Sequence, residues 1–168
     1  QFEGWDELPW MFGERISSDL RLPLKYFTDS KLMPEDNPMT GSTEFLVSAK
    51  IADIIKNLQI PNLDYYESVI VRPDGEILKG YYTVNILNVV DCIDLKRSEY
   101  TLKRRGPATI NKYSKLVLNE KMIPEDVKLF RLYPDLEKKV VHEDVVKECK
   151  RQGVTGVNFI PLSEYRDL

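Results

Sequence analysis

A chain of 168 residues, 42% hydrophobic and 30% charged, is long enough to bury a sizeable core and too balanced in composition for a fibrous or disordered protein. No apolar run approaches the roughly 20 residues of a membrane-spanning helix, so we expect no membrane partner. The formal charge of −3 argues against nucleic acid as a general partner. We therefore expect a single soluble domain over residues 1–168.

Cysteine and histidine are scarce in this chain. Cys92 and Cys149 fit neither the spacing of a zinc site nor that of a redox pair, so we interpret them as buried free thiols. The lack of a disulfide framework favours the reducing cytoplasm. Because His142 is the single histidine, the sequence argues against a metal site and a histidine-based triad, and we expect no cofactor.

The N-terminal portion, residues 1–62, is rich in aromatic residues and prolines and contains one predicted helix. Its charge differs from that of a later segment. Residues 1–44 carry nine acidic and four basic side chains, whereas residues 94–115 carry two acidic and seven basic ones. If the fold keeps the two regions apart, each can steer a partner of opposite charge.

Two elements are predicted before the longest strand-like run. A helix at about 44–58 is indicated by an apolar stripe at helical spacing, formed by Val47, Ile51, Ile54, Ile55 and Leu58. Further on, the tripeptide Pro-Asp-Gly at 73–75 separates two apolar runs, at 67–72 and 76–80. This pattern is typical of the turn of a β-hairpin.

The longest run of strand-forming residues, at about 80–92, is predicted to be a central strand. Both of its faces are largely apolar, so the rest of the chain should cover both. Asp91 and Asp94, near its end, form the best carboxylate pair. On a continuous strand they face opposite sides, so they can act as acid and base only if the strand ends near Cys92 and turns. Alternatively, both accept hydrogen bonds from neighbouring backbone N–H groups.

Short elements are predicted after the central strand. Strands are expected at 115–118, 127–133, 139–141 and 154–161. A second helix, at about 143–152, has His142 as its N-cap and stops at Gly153. Together the elements predict an α+β fold with a mixed, mostly antiparallel sheet around the strand at about 80–92.

Three function classes are compatible with these residues. An enzyme would use Asp91 and Asp94 on a small polar substrate. An RNA-binding accessory protein would use the basic segment 96–115, where Tyr100 and Tyr113 stand among basic residues. The chain has no phosphate loop, nucleophile elbow or zinc helix, which favours the third class, a protein-binding module, by elimination.

The order of several residues resembles a known family. The run Tyr81-Tyr82-x-Val84-Asn85-x-x-Asn88-Val89-x-Asp91-x-x-Asp94 is followed by Lys115-Leu-Val-Leu118, by Phe130-Arg131-Leu132, and by a short helix ending in Gly153-x-Thr155-Gly156-Val-x-Phe159. In this order, over about residues 65–162, the chain resembles the eleventh immunity-protein family of bacterial polymorphic toxin systems. The N-terminal 60 residues carry no such resemblance.

The resemblance implies a cytoplasmic α+β protein that binds a cognate toxin domain and neutralises it without catalysis. Residues 65–162 would be the family-like core. The matched positions that we interpret as its structural signature are Tyr82, Asn85, Asn88, Asp91, Asp94, Gly153 and Gly156. The sequence specifies neither the toxin nor the oligomeric state.

The acidic N-terminal third is the first candidate for a toxin-binding surface, because many toxin domains are basic nucleases. Trp5 and Trp10 would be aromatic anchors in the interface. Four carboxylates would steer the toxin toward them, those of Glu3, Asp6, Glu7 and Glu14.

Overall fold

The computed structural model describes residues 12–16, 20–38, 45–102 and 110–167. In these ranges the protein has two α-helices and nine β-strands, and most strand pairs are antiparallel. The predicted α+β class is therefore confirmed. Neither helix of the described ranges is long and apolar enough to cross a membrane.

The largest sheet has four strands. They are β1 (Leu24–Phe27), β2 (Phe45–Ser48), β3 (Leu63–Val71) and β4 (Ile77–Ile86), arranged in the order β1-β3-β4-β2. β1 runs parallel to β3, whereas β2 and β3 are both antiparallel to β4. β4 thus lies inside the sheet, and its last four residues are buried.

A tight turn joins β3 to β4, as the Pro-Asp-Gly tripeptide predicts. Gly75 has a φ of +86°, a backbone conformation that favours glycine. Its N–H donates to the carbonyl of Arg72 at 3.0 Å. The N–H of Glu76 donates to Oδ1 of Asp74 at 3.1 Å, so the aspartate closes the turn locally.

The first helix, α1 (Ala49–Asn57), is shorter than the predicted 44–58. Residues 45–48 form β2 instead, because all four pair with β4. Val47 has the spacing of the helical stripe, but it lies in β2, and from there its side chain packs in the same buried core cluster as the helix. The remaining stripe faces the core, and its most buried members are Ile51, Ile54 and Ile55.

The predicted central strand is divided between two sheets. After β4 and a two-residue break, β5 (Val89–Val90) enters a second sheet of order β5-β8-β9, with β8 at Leu129–Leu132 and β9 at Lys139–Val141. At the break, the N–H of Leu87 donates to the carbonyl of Asn62 at 3.1 Å, which extends the β3–β4 register by one pair beyond Leu63 and Ile86. β3 begins at Leu63 and offers β4 no further strand residue. The carbonyl of Asn88 instead accepts a hydrogen bond from the N–H of Arg131 in β8, at 2.8 Å, and the chain passes into the second sheet.

A two-stranded ribbon forms much of the basic segment. Its strands are β6 (Glu99–Leu102) and β7 (Ile110–Lys115). They pair with each other, and in the described part of the chain neither pairs with any other strand. Every residue of β6 is exposed, whereas Tyr113 of β7 is 1% exposed and anchors the ribbon to the core. The strand predicted at 115–118 is therefore shifted toward the N-terminus.

The second helix, α2 (Glu143–Arg151), begins where predicted and ends one residue earlier. Nδ1 of its N-cap, His142, accepts a hydrogen bond from the N–H of Asp144 at 3.2 Å. Gly153, with a φ of +62°, follows the end of the helix.

The strand predicted at 154–161 is wrong. This segment is irregular and pairs with no strand in the described ranges. Its apolar side chains Val154, Val157 and Phe159 pack on the core cluster that contains α1, β4 and α2 residues. The burial of these side chains comes from packing on the core and not from strand pairing, although residues 157–160 alternate between half-buried and exposed as a strand would.

Candidate functional site

The acidic N-terminal surface lies mostly outside the described residues, including Glu3, Trp5, Asp6, Glu7 and Trp10. Of the predicted set, Glu14 is described, and it is exposed. Its backbone carbonyl accepts a hydrogen bond from Nδ2 of Asn85 at 2.8 Å. This bond leaves the Glu14 carboxylate available to a partner.

Asn85 and Asn88 hold neighbouring segments together. Nδ2 of Asn88 donates to the carbonyls of Pro61 and Leu129, at 2.9 and 3.1 Å, and its Oδ1 accepts from Nδ2 of Asn62. Asn88 thereby connects the loop before β3 to β8. Because Asn85 is 0% exposed and Asn88 is 8% exposed, these amides act inside the fold and cannot contact a large partner directly.

Asp91 and Asp94 line one open cleft of about 370 Å³ at the end of β5. The strand ends before Cys92, which meets the condition for the two carboxylates to approach one side. Asp94, however, uses Oδ1 to accept hydrogen bonds from the N–H groups of Lys96 and Arg97, at 3.1 and 3.2 Å. Asp94 thus closes a turn, whereas Asp91 is exposed.

Cys92, in the same cleft, is a poor nucleophile. Burial, with a smaller contribution from the charge of Asp91, raises the pKa of its thiol to about 11. At neutral pH it is therefore a protonated thiol, and the reactive thiolate is a minor species. In the described ranges, no group of three or more His, Cys, Asp or Glu side chains is placed to hold a metal ion.

Tyr82 belongs to a cation–π arrangement on the sheet. Nζ of Lys56 lies 4.8 Å from the ring centroid of Tyr82 and 4.8 Å from that of Tyr65. The ammonium group of α1 thus lies against two aromatic rings of adjacent strands. Such contacts contribute about 0.5–1 kcal/mol each at partly exposed sites, so this arrangement fixes α1 on the sheet.

Asp36 joins three distant parts of the chain. Its Oδ1 accepts a hydrogen bond from Oγ of Ser48 at 2.7 Å. Its Oδ2 accepts from Nζ of Lys50 at 2.9 Å and from the N–H of Thr155 at 3.0 Å. Burial alone raises the pKa of Asp36, but the bonds from Lys50, Ser48 and Thr155 outweigh burial and hold the pKa below its usual value.

Gly156 lets the C-terminal segment approach this junction closely. It has a φ of +75°, and a Cβ at this position would lie 2.5 Å from the carbonyl oxygen of Asn37. The N–H of Asn37 in turn donates to the carbonyl of Thr155 at 3.2 Å. Gly153, by contrast, has open space around the place of a Cβ.

We expect the substitution Asp36→Asn to lower the free energy of unfolding by about 1–2 kcal/mol at pH 7, because it removes charge-assisted hydrogen bonds. A carboxylate whose pKa is lowered by folding stabilises the protein above its unfolded-state pKa, and this contribution is lost as the pH falls through its folded-state pKa. Urea unfolding of both proteins at pH 7 and at pH 3 measures this dependence.

Asp53→Asn is the matched control, since Asp53 is exposed on α1. We expect the gap between wild type and Asp36→Asn to narrow at pH 3, whereas the control changes little at either pH. A gap of equal size at both pH values would show that the Asp36 charge has no part in the stabilisation.

A groove beside α2 has a volume of about 810 Å³, more than that of the cleft at Asp91 and Asp94. We call it the α2 groove; α2, β9 and residues 158–162 form its walls. Its apolar lining includes Val140, Val146 and Phe159, and its charged lining consists of Lys138, Lys139, Lys147, Lys150 and Glu143. Four bases and one acid give the lining a net positive charge.

Arg131 is a buried cation at the centre of the second sheet. It is 0% exposed, and its Nε and Nη1 donate to the carbonyls of Ile86 and Leu136, at 3.2 and 2.9 Å. Its Nη2 has no hydrogen-bond partner among the described residues. Desolvation by burial lowers the pKa of Arg131, because it disfavours the charged form.

Sequence reasoning missed Asp36, Arg131 and the α2 groove. Asp36 stands in a loop of ordinary composition, and its partner Thr155 lies 119 residues away. Arg131 is a charged residue in an otherwise apolar strand, and charged side chains are rarely fully buried. The one available signal was the motif Gly153-x-Thr155-Gly156, which contains Asp36's partner and the glycine packed against the same loop.

Comparison with known proteins gives one match that covers nearly the whole chain. The model of a family described as Immunity protein family (Imm11) matches residues 12–164. The search of curated proteins found no match. The family match starts far before residue 65, so most of the N-terminal portion belongs to the matched region, contrary to the expectation that it carries no resemblance.

Proposed function

Because this chain belongs to the Imm11 family of immunity proteins, we propose that it binds a cognate bacterial toxin domain and neutralises it by protein–protein contact, without a reaction of its own. The family match over residues 12–164 carries this proposal. The toxin is the variable C-terminal domain of a secreted protein encoded beside it, and the complex forms in the cytoplasm.

The described residues support binding better than catalysis. In the cleft that holds Asp91 and Asp94, one carboxylate closes a turn and the neighbouring Cys92 thiol is protonated at neutral pH. A binding protein needs instead an exposed surface of about 800 Å² on each partner. Exposed apolar side chains with charged neighbours supply such surface on several faces.

For the acidic N-terminal surface we propose a steering role toward a basic toxin. Opposite charges on two proteins speed their association and make its rate depend on salt. Glu14 is exposed, which supports this role. Trp5 and Trp10 are proposed as anchors, and Glu3, Asp6 and Glu7 as the remaining steering charges.

The experiment combines neutralisation with kinetics. The toxin domain encoded next to this protein is expressed with and without it, and growth is scored; association of the purified proteins is then followed by stopped-flow fluorescence. We expect wild type to restore growth. A variant with Glu3, Asp6, Glu7 and Glu14 all changed to Lys should associate about tenfold more slowly, with a weaker dependence on salt.

The control reverses the same number of charges on other exposed residues, namely Asp53, Glu120, Glu125 and Asp126. If wild type fails both to bind the toxin domain and to restore growth, the proposed function is wrong. If the N-terminal and control variants lose association rate equally, the function stands but the acidic surface has no specific steering role.

A further inference from the structure

We propose that the α2 groove is a docking site for the toxin and receives an acidic segment of it that also carries apolar side chains. This inference rests on the proposed function, because it names the surface and the partner chemistry of the same interaction. Three properties of the described residues carry it: the apolar floor of the groove, the sign of its charge, and the fixed position of its walls.

The floor of the groove exposes apolar side chains to water. Val140, Val146 and Phe159 are half-buried in the groove, while Ile160 and Leu162 at its edge are 51% and 38% exposed. Removing this apolar surface from water on binding is favourable. A continuous apolar depression with a polar rim is the usual form of a protein-binding surface.

The volume of about 810 Å³ limits what can enter. Cavities of roughly 300–1,000 Å³ hold ligands of the size of a few side chains. The groove therefore accommodates a small number of anchor side chains from one segment, while the rest of the partner lies over the rim. This matches interfaces in which a few buried residues contribute most of the binding energy.

The charge of the groove selects an acidic segment. Four of its five charged lining residues are lysines, although the whole chain has a net charge of −3. Lys138 is already paired with Asp135 and Asp167, at 2.7 and 3.0 Å, so the selection of an acidic segment depends on the lysines of α2. Lys147 pairs with Glu143 at 3.0 Å, and Lys150 makes no ion pair with any residue that the structure describes. Carboxylates on both sides of an apolar anchor would meet these ammonium groups, whereas a basic segment would be repelled.

Both walls of the groove are fixed before any partner arrives. On one side, Val145 and Cys149 of α2 are buried in the core, at 4% and 2% exposure. On the other side, Oδ2 of Asp167 accepts a hydrogen bond from the N–H of Tyr113 at 2.7 Å, and Nζ of Lys138 lies 3.0 Å from Oδ1 of Asp167. A preformed groove loses little conformational entropy on binding.

The α2 groove and the acidic N-terminal surface require opposite charges on the partner. The same toxin domain can satisfy both only through different regions of its surface. Charge reversal in the groove therefore separates the two contributions, because it should weaken binding without removing the N-terminal steering effect.

The test is the affinity of the purified toxin domain for the double variant Lys147→Glu with Lys150→Glu, measured by titration calorimetry. We expect a loss of about tenfold or more. The control, Lys79→Glu with Lys121→Glu, makes the same charge change on exposed lysines outside the groove. It should alter the affinity less than twofold, and thermal unfolding confirms that both variants are folded.

A second measurement does not depend on charge reversal. A photo-crosslinking amino acid replaces Ile160 at the groove edge or, as control, Ile77 on β4, which has a similar exposure of 53%. We expect toxin crosslinks from position 160 and none from position 77. If wild type binds the toxin domain while the groove variant keeps full affinity, or while position 160 crosslinks within the chain or to a second copy, the docking site is elsewhere. If wild type does not bind, the proposed function itself fails.

Discussion

Replacing Arg131 with alanine is expected to lower the free energy of unfolding by about 2–5 kcal/mol. Arg131 is fully buried in β8, so the substitution leaves a cavity and removes the donors that satisfy the carbonyls of Ile86 and Leu136. These two carbonyls lie on either side of β8 in the sequence, one at the end of β4 and one before β9. Urea unfolding at pH 7, followed by circular dichroism, measures the loss.

Arg131→Met separates the volume of this side chain from its charge. Methionine fills most of the space with an apolar chain and removes a cation whose Nη2 has no partner among the described residues. Because a buried charge carries a large desolvation penalty, an apolar replacement of similar size usually costs less than truncation. We therefore expect Arg131→Met to be clearly more stable than Arg131→Ala. Equal losses in both variants would mean that the hydrogen bonds outweigh both packing and desolvation.

The second large effect is expected for Gly156→Ala, which should cost about 2–4 kcal/mol. Part of this cost, about 1–2 kcal/mol, arises because an L-residue is strained at the φ of +75°. The rest arises because the new Cβ would lie 2.5 Å from the Asn37 carbonyl oxygen and 2.8 Å from Cβ of Glu35. The neighbouring atom in the closest contact is backbone, so it cannot move aside as a flexible side chain would.

Gly153→Ala is the matched control for the steric part. Gly153 has a similar φ of +62° but no atom within 4 Å of the place of a Cβ. We expect it to lose about 1–2 kcal/mol from backbone strain alone. Thermal and urea unfolding of the two variants should therefore differ by the contribution of the clash. If both lose the same amount, the 35–37 loop moves away at little cost and the junction with Thr155 is weak.

Much of the fold could be predicted because its signals are local. The Pro-Asp-Gly turn, the His142 cap and the Gly153 stop each depend on a few adjacent residues, and the structure has all three. The resemblance to the eleventh immunity-protein family is also confirmed by the family match over residues 12–164. The resemblance depends on the order of residues along the chain, so it can be recognised without knowing which residues are in contact.

The errors in the fold have a common physical cause. Residues 45–48 have apolar side chains at a spacing that suits either a helix or a strand, and pairing with β4 decides for the strand. Likewise, the run at 80–92 has strand character throughout, but β3 supplies no strand partner before Leu63, and the backbone of Asn88 pairs with Arg131 of the second sheet instead. Contacts between residues far apart in the sequence determine both outcomes, and such contacts cannot be read from a single sequence.

The candidate sites were harder to predict than the fold. The α2 groove is formed by β9, α2 and residues 158–162. Most of residues 158–162 fall in the strand predicted at 154–161, which the structure does not have. Two of its lysines, Lys147 and Lys150, stand where basic residues ordinarily favour the C-terminal end of a helix. The acidic N-terminal surface was proposed from charge alone, and it stays a prediction because most of its residues lie outside the described ranges.

The β6–β7 ribbon points to a role for the basic segment that involves neither RNA nor a toxin. β6 pairs on one side with β7 and, within the described residues, with no strand on the other, and it exposes Tyr100 and Leu102 by 38% and 50%. An open strand edge with exposed apolar side chains is a template for aggregation. Lys112 and Lys115 stand opposite this strand in β7. We therefore expect these lysines to disfavour the approach of a second copy of the ribbon, and their replacement by neutral residues to increase self-association at high concentration.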